Sequence, residues 1–196
     1  MSKISFVNTI VPKGQYKDRK KVGDVYLIYF DPTEKEGMNA YECVECSVPV
    51  SDYNGSEVLD AYEAWKEKHD AAELAYAIRS KVAEIEAYDT SSNVNGFVLN
   101  GMTVWLDKAT RVGLMNSTTI AKAAGQETTT LWLGDVKLEV DCYKAIQLLS
   151  ALEMYALECF NVTAAHKAAV AELKTIKEVE AFDVTADYPK QLEMKL

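Results

Sequence analysis

The sequence predicts an α+β protein, with a small N-terminal antiparallel β unit followed by a helical domain. Three observations predict this class. Residues 1–50 are rich in Val, Ile, Tyr and Phe and are interrupted by turn residues. Two later segments carry apolar residues every three or four positions, as helices do. An Asn-Gly pair between short apolar arms indicates a β-hairpin. We place the boundary so that residues 1–55 form a β docking domain and residues 56–196 form a helical domain with hairpin insertions.

The N-terminal strands are predicted over residues 4–11, 22–31 and 39–50, where β-branched and aromatic residues dominate. The segments between them carry Pro, Gly and charge, which favour loops. The basic run KDRKK at 17–21 is interpreted as one such solvated loop. Three strands alone are only marginally stable. This unit therefore requires a partner, from the same chain or from another one.

The helical domain begins with a predicted long helix over residues 57–88, capped by Ser56. Its apolar residues recur at helical spacing, although the pattern is thin at 66–70. The members of this predicted stripe are Val58, Tyr62, Trp65, Ala72, Ala75, Ile78, Val82 and Ile85.

Two hairpins and a shorter helix follow. The first hairpin covers 97–106 and turns at Asn100-Gly101, because both residues tolerate the positive φ of a type I′ turn. Asp107 then caps a helix that ends at Gly125. The second hairpin covers 128–140 and turns at Gly134-Asp135.

The second long helix is predicted over about 141–175, and the tail after it is interpreted as irregular. Its apolar stripe has a period close to the 3.5 residues of helices packed along their length. This period favours a self-associating bundle and predicts an oligomer or partner interface. The predicted interface residues are Leu149, Leu152, Ala156, His166, Val170 and Leu173.

Composition limits the classes of partner. Of the 196 residues, 48% are hydrophobic and 26% are charged, and the formal net charge is −9. An acidic chain with one short basic run does not suit a nucleic-acid binder. No segment approaches the roughly 20 apolar residues of a membrane span, so we expect no membrane insertion. The first fifteen residues lack the apolar core of a secretory signal, which predicts synthesis and folding in a cytoplasm.

The four cysteines are interpreted as plain reduced residues. Cys43 and Cys46 form a lone C-x-x-C within an apolar strand pattern. A zinc ribbon requires a second such pair, and Cys142 and Cys159 are distant and 17 positions apart. A redox pair is typical of a helix start after a strand. We therefore expect no metal and no cofactor.

The stretch LNGMTVWLDKATRVGL, residues 99–114, has the highest density of polar and aromatic side chains. Asp107 falls at the position of a helix N-cap, and Lys108 and Arg111 are expected to point outward together. Trp105 lies on a strand whose alternate residues face the core. Each residue thus has a structural use, and we assign no catalytic role here.

The two histidines do not suggest a catalytic group either. His166 lies on the apolar stripe of the last helix, which favours a hydrogen-bonded core or interface residue. His69 stands among charged residues and is expected to be solvated. Neither a hydrolase triad motif nor a glycine-rich phosphate loop occurs. The sequence therefore predicts that the protein is not an enzyme.

The second half of the chain resembles a domain of unknown function common in bacteriophage tail-fibre and tail-associated proteins. The resemblance covers about residues 79–190. This segment looks most like the form seen in phages and prophages of gut Bacteroidetes. It rests on a helix, a turn, a hairpin, a strand with Trp and a long Ala-rich helix, in that order. The matching residues are Arg79, Glu84, Phe97, Trp105, Arg111, Trp132, Tyr155, His166 and Leu173.

This resemblance implies a virion structural protein without enzymatic activity. The expected location is the virion tail, after synthesis in the host cytoplasm. The expected partners are other tail, baseplate or fibre proteins and further copies of the chain, with a trimer as the first expectation. Two alternatives stay open, a host-surface glycan-binding module at a fibre tip and a non-virion assembly factor. A depolymerase is a third alternative.

Overall fold

The computed structural model describes residues 4–195 and confirms the α+β class. The chain divides into two compact units, Met1–Glu73 and Leu74–Leu196. The boundary predicted at 55/56 instead coincides with the start of the first helix. The division falls later because the first half of that helix packs on the N-terminal sheet through Val58.

The first unit contains a four-stranded antiparallel sheet with the strand order β1-β4-β3-β2. The strands are β1 (Ser5–Pro12), β2 (Arg19–Val22), β3 (Val25–Glu34) and β4 (Ala40–Pro49). The prediction of a loop across the basic run is wrong, because most of it forms β2. The pair Val22↔Val25 closes a two-residue turn at Gly23-Asp24, and Gly23 supplies a φ of 59°.

One face of this sheet packs against helix α1 (Gly55–Asp89). Cys46 and Val48 of β4 form a buried cluster with Val58. Phe30 and Tyr62 stack with ring centroids 4.0 Å apart and nearly parallel planes. The sheet thus finds its apolar partner within the same chain.

The contact between β3 and α1 is fixed by a polar clamp. The β3–β4 register shifts between Phe30 and Thr33, and within this bulge Asp31 adopts a φ of 49°. The Tyr62 hydroxyl donates to Asp31 Oδ2 at 2.7 Å, and Lys66 also donates to this oxygen. The bonds from Lys66 and Tyr62 lower the pKa of Asp31, and burial raises the pKa of Tyr62 to about 12.

Beyond this contact, α1 is exposed on every side from residue 70 to residue 73. Four consecutive residues cover a full helical turn, so no face of this turn is buried. Ala72 and Ala75 are exposed, and their assignment to a buried stripe is wrong. The stripe resumes with Ile78, Val82 and Ile85, which pack in the second unit.

The second unit contains both predicted hairpins. Strands β5 (Gly96–Leu99) and β6 (Met102–Trp105) turn at Asn100 and Gly101, which have φ values of 50° and 82°. Strands β7 (Thr128–Leu133) and β8 (Val136–Asp141) turn at Gly134-Asp135. The tail is less irregular than predicted, because β9 (Leu192–Met194) pairs in parallel with β5.

The helices of this unit are α2 (Lys108–Ala123), α3 (Cys142–Glu172) and the short α4 (Ile176–Ala181). Asp107 caps α2 and Asp141 caps α3, each accepting bonds from backbone N–H groups of the first turn. The largest apolar cluster joins all four strands of the two hairpins to α3. Its fully buried members include Phe97, Leu99, Leu131, Leu133, Ala145 and Leu149.

The predicted interface stripe on α3 is interior to a single chain. Leu149, Leu152, Ala156, His166 and Val170 are buried, and Leu173 packs partly buried against Val170. The apolar spacing does mark the buried side of α3, but the surfaces that cover this side are the hairpins and the end of α1. These side chains are therefore covered by other parts of the same chain. The prediction that they form an oligomer or partner interface is corrected accordingly.

No helix within residues 4–195 has the combination of length and apolarity that a membrane crossing requires.

Replacement of Leu152 by Asp tests this placement. A charge in an apolar site is expected to cost more than the roughly 2–5 kcal/mol of a Leu→Ala change in a core. Thermal unfolding followed by circular dichroism should show a severely destabilised or unfolded chain. Met154→Asp is the matched control, since Met154 on the same helix is 59% exposed. If the wild type is oligomeric and the Leu152→Asp variant is a folded monomer, the stripe on α3 is an oligomer interface and its placement in the core is wrong.

Candidate functional site

The candidate site is a surface cleft of about 470 Å³ in the second unit. Three separated segments meet there: the end of α1 with the following turn, the β6–α2 corner, and the middle of α3. The lining residues are Asp89, Thr90, Asn95, Trp105, Asp107, Lys108, Arg111, Glu153, Ala156, Leu157 and Phe160.

The apolar side of the cleft is open to solvent. Trp105 is 42% exposed and Phe160 is 62% exposed, and Leu157 is exposed as well. Strand β6 places Val104 in the core and therefore turns Trp105 outward. The stretch at 99–114 is thus a packed corner, but its tryptophan belongs to the surface.

Asp107 has the structural role that the sequence predicts. Its Oδ1 accepts the Thr110 backbone N–H at 2.9 Å, and its Oδ2 accepts the Thr110 hydroxyl at 2.6 Å. These bonds hold the pKa of the Asp107 carboxyl below its ordinary value. The carboxylate therefore remains charged and keeps the first turn of α2 in place at the rim of the cleft.

Arg111 is buried, and the prediction that it points outward with Lys108 is wrong. Its Nη1 donates to the Leu106 carbonyl oxygen at 2.6 Å, and its Nε donates to Glu153 Oε1 at 2.9 Å. The guanidinium thus joins the end of the first hairpin, α2 and α3. A buried guanidinium requires such partners, and the long-range one, Glu153, is not visible in the sequence.

The opposite end of the cleft is held by a second polar group. Thr163 donates its hydroxyl proton to Asp89 Oδ1 at 2.7 Å and lies 2.8 Å from the Tyr188 hydroxyl. Because a hydroxyl has one proton, Thr163 accepts from Tyr188. Burial raises the pKa of Tyr188 and that of the nearby Cys159 thiol. Tyr188 and Cys159 therefore stay neutral, and the Thr163 hydroxyl positions the Asp89 carboxylate.

Asn95 lies in the same cleft with a left-handed backbone, at a φ of 61°. Asn tolerates this conformation better than most residues. Its Oδ1 is buried and has no hydrogen-bond partner among the residues that the structure describes. An unsatisfied amide oxygen typically costs about 1–3 kcal/mol.

The histidines depart in part from their predictions. His166 lies in the core, which was one of the two predicted options. Its ring is edge-on to those of Phe182 and Tyr188, with ring centroids 5.3 and 5.5 Å away. Its Nδ1, however, has no hydrogen-bond partner within residues 4–195. In the first unit, His69 is not freely solvated but half-buried. It stacks on Trp65 at 4.6 Å and contacts the Asn8 amide at 3.3 Å.

The C-x-x-C pair cannot act as a unit. Residues three apart on a strand point to opposite faces, and Cys43 and Cys46 accordingly belong to different apolar clusters. All four cysteines are free and buried, and burial raises the pKa of Cys46 to about 11. The described part of the chain contains no group of three or more His, Cys, Asp or Glu side chains that could hold a metal ion.

Of the predicted interface residues, only Ala156 reaches the cleft. Sequence reasoning missed Leu157 and Phe160, which flank the buried stripe of α3 and are exposed. The segment YALECF, residues 155–160, contains more large apolar residues than one buried helix face requires, and this excess could have indicated them.

The fold and the cleft define an α+β protein whose second unit is built around one long helix. Residues 76–186 match the model of a family described as a domain of unknown function (DUF4376). The chain belongs to this family, since the match covers more than half of its 196 residues. No curated protein and no solved structure matches the chain.

Arg111→Met tests the buried guanidinium. It removes bonds to the Leu106 carbonyl and to Glu153, and we expect the free energy of unfolding to fall by about 1.5–3 kcal/mol. Lys108→Met is the control and should change it by less than about 0.5 kcal/mol, because Lys108 is exposed. Urea unfolding of the two variants measures the difference. Equal stabilities would contradict the structural role of Arg111.

Proposed function

We propose that this protein is a structural component of a bacteriophage tail that docks other virion proteins. Its place is the tail, the baseplate or the fibre attachment, and it acts as a homo-oligomer with a trimer as the first expectation. It is synthesised in the host cytoplasm and has no enzymatic activity. The resemblance of residues 79–190 to phage tail-associated domains supports this proposal, and a feature of the first unit carries it.

That feature is the edge strand β1. The strand order leaves one side of β1 without a strand neighbour among the described residues. Its sequence, SFVNTIVP, contains no charged residue. Val7 is 55% exposed and Ile10 is 47% exposed. A long, uncharged edge with exposed apolar side chains readily adds a strand from another chain.

The opposite edge of the same sheet makes the contrast informative. Strand β2 has the sequence RKKV, and it presents Arg19, Lys20 and Lys21. Positive charges on an edge strand discourage pairing with other chains. One edge of the sheet is thus protected and the other is open, which is the arrangement expected of a unit with a single docking direction.

The polar groups of the second unit support a structural role as well. Asp107 caps a helix, Arg111 joins three elements, and Thr163 connects α3 to Asp89. Each of these side chains is used to hold the fold.

The test is mass spectrometry of gradient-purified particles of the phage that encodes the chain. We expect the chain in the particle at a copy number that is a multiple of three or six. Ile10→Lys in the phage genome should reduce its abundance, relative to the major capsid protein, by about tenfold, the equivalent of about 1.4 kcal/mol of docking energy. The reduction follows from the charge placed on the open edge.

Val22→Lys is the matched control, because Val22 lies on the opposite edge strand and is also 47% exposed. This variant should enter particles as the wild type does. Absence of the wild-type chain from particles would overturn the proposal in favour of an assembly factor. Equal incorporation of Ile10→Lys and Val22→Lys would overturn docking through β1.

A further inference from the structure

The cleft of the second unit has the properties of a small-molecule site. Its volume of about 470 Å³ lies within the range of about 300–1,000 Å³ that such sites usually have. Trp105 and Phe160 expose large parts of their rings at its wall. Aromatic faces left open beside polar groups usually mark a binding surface. No role in the fold explains their exposure.

The polar groups of the cleft carry both signs of charge. Three carboxylates line it, those of Asp89, Asp107 and Glu153. Two positive groups, the Lys108 ammonium and the Arg111 guanidinium, and the Asn95 amide line it as well. The carboxylates disfavour an anion, and the two positive groups disfavour a cation. A neutral ligand with many hydroxyl groups suits this mixture, because each hydroxyl both donates and accepts.

Two of these carboxylates, Asp89 and Glu153, are oriented by the protein before any ligand binds. Arg111 holds Oε1 of Glu153, and Thr163 holds Oδ1 of Asp89. The second oxygen of each carboxylate takes part in neither bond. Groups that are already oriented lose little conformational entropy on binding, which favours affinity for a small polar ligand.

We propose that this cleft binds a neutral carbohydrate of one or two sugar rings. The apolar C–H face of a pyranose packs on Trp105 and Phe160, while its hydroxyls bond to the carboxylates and to Lys108. After rotation of the Asn95 side chain, a sugar hydroxyl can also donate to its Oδ1, which has no hydrogen-bond partner among the described residues. The inference does not depend on the proposed place of the chain in a particle.

The test is saturation-transfer difference NMR on the full chain. The probes are glucose, galactose, mannose, N-acetylglucosamine, cellobiose, maltose and lactose, each at millimolar concentration. We expect transfer to at least one probe. Its affinity should fall by about tenfold or more, the equivalent of about 1.4 kcal/mol, in Trp105→Ala and in Phe160→Ser.

Two control variants are matched to these changes. Trp132→Ala removes a tryptophan that is 56% exposed on the other hairpin, and Met154→Ser removes a side chain that is 59% exposed on α3. Neither residue lines the cleft. Both controls should bind as the wild type does. Circular dichroism verifies folding, and Phe160→Ser decides the matter if Trp105→Ala does not fold.

Transfer to none of the seven sugars would overturn the proposal, and so would equal binding by the cleft and control variants. Both results are independent of the particle experiment, which reads the β1 edge in the other unit. Sugar binding without particle incorporation would leave the carbohydrate site intact and refute only the tail assignment.

Discussion

The second unit depends on the burial of one stripe of α3 along nearly the whole helix. Leu148, Leu149 and Leu152 pack into the cluster built by the two hairpins. Tyr155 and Cys159 then pack around Val94, and Val170 packs against the end of α1 and the tail. Each fully buried Leu contributes roughly 1.5–3 kcal/mol. Three separate parts of the chain, none of which has a large core alone, are thereby held on one helix, and the cleft forms where they meet on its flank.

Polar contacts set the detail within this apolar frame. Arg111 fixes the β6–α2 corner to α3 at one end of the cleft, and Thr163 fixes Asp89 at the other. Such partly buried bonds add little net stability when complete, but the loss of one partner leaves the other unsatisfied and lowers stability. Their consequence is geometric, because they fix which side chains face the cleft. In the first unit the bulge at Asp31, held by Tyr62 and Lys66, does the same between the sheet and α1.

Local chemistry made much of the fold predictable. The turn at Asn100-Gly101 and the cap at Asp107 depend on one or two residues each, and the structure confirms both. The same chemistry at Gly23-Asp24 was overlooked because the adjoining charges favour a loop. The features that were not predicted depend on residues that are far apart in the sequence. The pairing of β9 with β5, the burial of Arg111 and the assembly of the cleft each require contacts across tens of residues. Periodicity showed that α3 has a buried face, but not that the chain itself covers it.

The proposed docking through β1 requires that the buried side of α3 be covered within one chain, so that it is not available to partners. Hydrogen–deuterium exchange followed by mass spectrometry distinguishes the two surfaces when the free chain at dilute concentration is compared with the proposed particle-bound state. We expect slow exchange of the α3 amides from Ala145 to Thr163 in both states, since their side of the helix is buried in one chain. Added protection of β1 is expected only in the particle. Rapid exchange of α3 in the free chain, with protection gained in the particle, would instead show that α3 is covered by a partner.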